Sequence, residues 1–142
     1  MAAVMKPEEM LKVLPGAASK APWVDCGPGI QIKVLAVDLE HHCVQYLART
    51  HAGHNPGLHR HNADASIFFL EGGVKNLTTG VEFGPGDFCF QPTGDVHEEL
   101  VGPDGAVAYI SQRGDEDLLI EFIDEHGAVY DRYTCSDFAR ML

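Results

Sequence analysis

The chain has 142 residues, 45% of them hydrophobic and 22% charged, an ordinary globular balance and enough for one domain with its own core. Its formal net charge is -11, so its surface repels nucleic acid and anionic membranes, and neither is expected as a partner. The opening residues, MAAVMKPEEMLKVLPG, lack the long apolar core of a secretion signal, and no window is long and apolar enough for a membrane span, so a cytoplasmic location is expected.

In chain order, Pro7 to Leu14 reads as a short helix with proline near its start. From Ile30 the pattern changes to apolar residues on alternate positions. Ile30–Val37 and Cys43–Thr50 read as strands, with His41 and His42 in the turn between them. Shorter candidate strands follow at Gly57–His61, Ala65–Glu71, Lys75–Leu77, Val81–Phe83, Asp87–Gln91, Val96–Val101, Ala106–Gln112, Leu118–Asp124 and Ala128–Tyr133. Turn-forming clusters divide most of them, notably Gly72-Gly73, Gly84-Pro85-Gly86, Pro92-Thr93-Gly94 and Gly102-Pro103-Asp104-Gly105. Ser136–Leu142 reads as helical again. The expectation is a single all-β domain over residues 1–142, an antiparallel sandwich or barrel with short terminal helices. The cysteines (Cys26, Cys43, Cys89, Cys135) form no CxxC pair and are expected as free thiols.

Chemistry concentrates in two segments. In GHNPGLHRH, His59 and His61 lie one residue apart; on a strand they share a face, with Arg60 on the other. That is how one strand gives two ligands to one ion. The second segment, GDFCFQPTGDVH, places His97 after Gly86, Pro92 and Gly94. His41, His42, His51, His54 and His126 fall in loops or turns and read as surface residues.

The first segment fits Gx5HxH and the second Gx5PxGxxH, and together they resemble the two motifs of the cupin superfamily. The resemblance implies a small cupin-type jelly-roll barrel, a metal-binding core over about residues 30–135, and a divalent metal held inside by His59, His61 and His97. The usual first motif adds a glutamate four or five residues after its second histidine; here those positions hold Ala65 and Ser66. Three neutral imidazoles would leave the ion's charge uncompensated and suit an anionic bidentate ligand. Gln91, six residues before His97, is expected to support a ligand ring from behind. Glu99, two after His97, is either near the metal or a solvated charge at a strand end, and Glu98 should point away.

Within the superfamily the chain looks closest to the three-histidine group that contains acetylacetone dioxygenase and 2,4'-dihydroxyacetophenone dioxygenase. The lost glutamate, the stretch Phe90–Leu100 and the tail around Phe122-Ile123-Asp124 carry that likeness. The group commonly has glutamate where this chain has Gln91, and its acetylacetone enzyme has a pocket arginine where this chain has Leu77. The resemblance implies an iron(II) dioxygenase acting with O2 on a small β-diketone or hydroxyketone, with zinc or nickel as alternative occupants of the purified protein. A homodimer or homotetramer is expected by the same analogy. The rival expectations are a non-catalytic zinc-binding sensory module and an isomerase on the same barrel. Ser66, Phe68 and Leu70, which alternate along their own strand, are expected to face the pocket, and Cys89 and Gln91 to lie on the face opposite Phe88 and Phe90.

Overall fold

The computed structural model describes residues 20–142. The helix expected at Pro7–Leu14 lies outside the described residues. Eleven strands follow one another: β1 (Val24–Asp25), β2 (Ile30–Asp38), β3 (Cys43–Thr50), β4 (His59–His61), β5 (Asp64–Asn76), β6 (Glu82–Phe83), β7 (Phe88–Gln91), β8 (Val96–His97), β9 (Glu99–Arg113), β10 (Leu118–Ile123) and β11 (Val129–Thr134). A short helix, α1 (Cys135–Ala139), closes the chain.

All the strand pairs are antiparallel. The larger sheet runs β1-β2-β3-β9-β5-β6, with β7 paired to β5; the smaller runs β11-β10-β4-β8. Among the described residues no ladder joins the two sheets, which face each other as the walls of a jelly roll. β3 shows the alternation that builds such a wall: Val44, Tyr46 and Ala48 are buried, while Gln45 and Arg49 are exposed. These inner residues pack with Ile32, Val34 and Val37 of β2, and with Leu119 and Phe138 from the smaller sheet and α1. Thr134 caps α1 in a reciprocal capping box with Asp137, which fixes the helix where Phe138 meets the Tyr46 ring at 4.6 Å between centroids.

Two expected turns are not turns. Gly72-Gly73 lies inside β5, which is 13 residues long, and Gly102–Gly105 lies inside the 15-residue β9. Gly72 pairs with Ala106 and Val74 with Val101, so residues 102–105 bulge out opposite Gly73. The glycines serve close approach here: a Cβ on Gly72 would stand 1.8 Å from the Gly105 carbonyl oxygen. The ladder thus continues across a sequence that reads locally as a break.

Candidate metal centre

β4 is only three residues long, yet it is paired on both sides. His59 faces His97 of β8 across one ladder and Phe122 of β10 across the other. The second motif makes this pairing possible. Gly94 takes φ +92, a left-handed value that suits glycine, and Asp95 N–H donates to the Pro92 carbonyl at 3.0 Å. The turn brings the chain back against β4, where Gly94 N–H reaches the His61 carbonyl at 2.7 Å and His61 N–H reaches the Asp95 carbonyl at 2.8 Å. Glycine, proline and histidine in that spacing therefore place one strand end beside another. Arg60 points outward, 3.8 Å from Glu121.

His59, His61 and His97 are buried, and each offers a ring nitrogen within 4.8 Å of the other two. The outer nitrogens of two rings are already held. His59 Nδ1 lies 2.9 Å from the Gly57 carbonyl and His97 Nδ1 lies 2.7 Å from Asp95 Oδ2, each placed to donate its proton. Such bonds leave Nε2 as the inward electron pair, the arrangement found behind metal-bound histidines. Neither nitrogen of His61 has a hydrogen-bond partner, although the ring is 4% exposed. A buried imidazole without partners is costly, and a metal ion would satisfy it. Soft-to-borderline nitrogen donors in this number suit zinc, iron(II) or nickel. The residues present fit a divalent metal.

Glu99 joins the group. Its Oε1 lies 2.9 Å from His97 Nε2 and 3.6 Å from His59 Nε2, so a carboxylate stands beside two of the three imidazoles. Burial works against its charge, but hydrogen bonds to His59 and His97 outweigh that and hold it well below the usual carboxylate range. Burial likewise disfavours a charged His97, yet Glu99 and Asp95 more than offset it and raise its pKa. His61 goes the other way: burial, with His59 and His97 alongside, pushes it down to about 3. Glu98 points away, accepting from Asn55 Nδ2 at 2.9 Å.

The centre opens into a cavity of about 160 Å3 between the sheets. Its walls are mostly aliphatic and aromatic, including Ile30, Ile67, Phe69, Val101, Ile120 and Phe122. Polar side chains interrupt them, among them Gln91, Gln112 and His54. Gln91 and Gln112 are buried, each with an amide oxygen that lacks a partner, and the Gln112 amide donates to the Tyr46 hydroxyl at 2.6 Å. His54, a surface residue by its sequence setting, also lines the cavity, and its burial, with His51 nearby, lowers its pKa.

Ser66, Phe68 and Leu70 do not line it. Phe68 and Leu70 are exposed and Ser66 lies on their side, while Ala65, Ile67 and Phe69 face in. Plain alternation from His61 runs through Ala63, Ala65, Ile67 and Phe69, which are the buried residues, so parity carries across the step from β4 to β5 and the expected set was one position out of phase. Parity holds within β7, where Gln91 is inside and Phe88 and Phe90 are outside. Gln112 and Tyr46 carried no sequence signal, since they meet only through pairing of strands distant in the chain. Ala65 is the first-motif position that lacks its glutamate, and it sits in register between Gln91 and Gln112.

The two facing sheets with three inward histidines from their motif positions define a cupin with a candidate metal site. The chain belongs to the ChrR Cupin-like domain family, whose profile matches residues 14–115. Among curated proteins, none matches. Among solved structures, it is similar to an RmlC-like cupin protein of Ralstonia eutropha JMP134, with TM-score 0.76 and 13% identity over 84% of this chain and 77% of that one. It is similar to an acetylacetone dioxygenase of Acinetobacter johnsonii, with TM-score 0.72 and 15% identity over 99% of this chain and 89% of that one. It is also similar to the DMSP lyase DddQ of Ruegeria pomeroyi DSS-3, with TM-score 0.59 and 18% identity over 86% and 79%. At these identities the likeness establishes the fold.

Proposed function

We propose that this protein is a non-haem iron(II) dioxygenase that cleaves a carbon–carbon bond of a small β-diketone or hydroxyketone, both atoms of O2 entering the two fragments. The observation that supports it most is a three-histidine centre at the end of a small, mostly apolar cavity. Similarity of fold to an acetylacetone dioxygenase agrees with it. Iron(II), when bound, would supply Lewis acidity toward two chelating oxygens and redox chemistry toward O2. His59, His61 and His97 would hold the ion. The Gly57 carbonyl and Asp95 keep two of those rings turned inward. Ile67, Phe69, Val101 and Phe122 exclude water from the ligand, and the amides of Gln91 and Gln112 offer hydrogen bonds to its polar groups. The cavity's volume of about 160 Å3 favours a small ligand.

A second reading, a zinc-binding module without turnover, draws support from Glu99, because four protein donors are the usual number for a non-catalytic zinc site. One experiment separates the two. Protein reconstituted anaerobically with iron(II) is mixed with acetylacetone, then with a panel of diketones and hydroxyaryl ketones, and oxygen is admitted. A visible charge-transfer band that decays with stoichiometric oxygen uptake is expected. No band and no uptake, from protein holding one metal per chain, would sink the dioxygenase reading.

A further inference from the structure

The two sequence motifs account for the histidines and leave the carboxylate among them unexplained. We propose that Glu99 is a fourth protein ligand to the same ion, so that the carboxylate lost from the first motif is supplied from a different strand. The proposal rests on metal binding at the histidines and not on the dioxygenase reading.

Three observations carry it. The first is convergence. His59 and His97 have their outer nitrogens engaged by Gly57 and Asp95, so both turn Nε2 toward one point, and Glu99 Oε1 lies 3.6 Å and 2.9 Å from those atoms. An ion drawn in by the rings meets the carboxylate in the same space. The second is charge. The Glu99 side chain is only 17% exposed, and among the described residues its ion-pair partners are His59 and His97 alone, with no lysine or arginine beside it. A sheltered carboxylate with no fixed cation beside it is costly, and a divalent ion at this point would supply the missing positive charge. The third is chain path. β8 ends at His97 and β9 begins at Glu99, with Glu98 alone between them as the chain passes from the smaller sheet to the larger. Glu98 turns out to Asn55, so its neighbours on both sides turn in. At the first-motif position, Ala65 has a methyl group that cannot ligate, and the neighbouring Gln91 and Gln112 are neutral.

The donor set becomes three imidazoles and one carboxylate, which compensates half the charge of a divalent ion. Up to two positions of a six-coordinate ion remain for an incoming chelate, and four-coordinate zinc would be closed.

The test uses cobalt(II) as the probe, because its visible bands report its ligands directly. Wild type, E99Q, E99A and H61A are stripped of metal, checked for native circular dichroism, and titrated with cobalt(II) and zinc(II) against a competing chelator. Wild type is expected to bind one ion per chain. E99Q is expected to weaken zinc(II) binding at least 100-fold and to shift the bands of the cobalt-loaded protein. Added acetate is expected to move the E99A bands back toward those of wild type. Unchanged affinity with unchanged bands in both variants overturns the proposal. Weakened affinity with unchanged bands also overturns it, because Glu99 would then only position a histidine. If E99Q does not fold, E99A and its acetate rescue decide alone. Wild type that binds no metal would remove the centre itself, a failure separable from that of Glu99, and oxygen uptake is scored independently of both.

Discussion

At the scale of single residues, the site was legible where its parts lie close in the chain. His59 and His61 share a face because strands alternate, and His97 follows a proline–glycine turn whose geometry spacing alone suggests. Alanine at any one of the three is expected to abolish stoichiometric metal binding, measured by elemental analysis of refolded, metal-loaded protein. Asp95 acts through His97, so D95N should weaken metal binding about 10- to 100-fold while leaving the three ligands in place. Protons follow the same map. The raised pKa of His97 means that metal-free protein carries a proton there below that value, and an incoming ion must displace it. Metal affinity should therefore rise with pH through that range, with proton release visible as a buffer-dependent heat in calorimetry. His61 acts on the stability of the metal-free fold. Its folded pKa lies at about 3 against an ordinary 6.5, so the unfolded chain takes up the proton first. As pH falls between those values, this ring alone should cost about 1.4 kcal/mol of stability per pH unit. A chemical melt across that window that shows no decline would contradict it. Cys135 is fully buried and its thiol is pushed up to about 12 by burial, so it should resist thiol reagents until the protein unfolds.

Among the elements, strand existence was easier to read than strand length. β2 and β3 follow from alternation of apolar and polar residues, and β10 from a short apolar run, all local properties. The continuity of β5 and β9 is not local. Glycine pairs at 72–73 and 102–105 look like turns, because glycine's freedom is the same whether it ends a strand or lets two strands crowd together. Only the partner strand distinguishes the cases. G72A tests the second case. The new methyl would collide with the Gly105 carbonyl, and the residue's φ of +66 disfavours a side chain. A loss of about 3 kcal/mol or more is expected in a denaturant melt. The Ser66, Phe68 and Leu70 reading failed by one position: alternation from His61 falls on Ala65, Ile67 and Phe69 and continues through the change of sheet. At the C-terminus, the helix was expected at Ser136–Leu142 and is found at Cys135–Ala139. Its Phe138 is 1% exposed against Tyr46 and Tyr133, and F138A should cost about 3–5 kcal/mol.

At the scale of the whole molecule, the family was legible because two short motifs fix both fold and ligands, while the ligand of the cavity depends on wall residues gathered from many strands. No helix of the described residues is long and apolar enough to cross a membrane. One outer face bears on assembly. Phe68, Leu70, Phe88 and Phe90 are exposed, Phe68 and Phe88 are direct cross-strand neighbours, and Ser66 and Ser111 complete the strip without a charge. On a chain of net charge -11, such a strip is where two copies approach with the least repulsion. We propose that a second copy covers it. Sedimentation should show a dimer or larger for wild type and a monomer for F88S/F90S; monomeric wild type would rule the interface out.

The division between the sheets has a consequence for how this protein can change. The smaller sheet carries all three histidines, while β5, β7 and β9 of the larger sheet supply much of the cavity wall, including Ala65, Ile67, Gln91, Ala106 and Ala108. Apart from Glu99 at the start of β9, the metal-site side chains and most of the cavity wall are thus encoded on separate pieces of backbone. Side chains of that wall beyond Glu99 can be enlarged or exchanged one at a time, so the cavity can be reshaped for a new ligand while the three histidines stay in place.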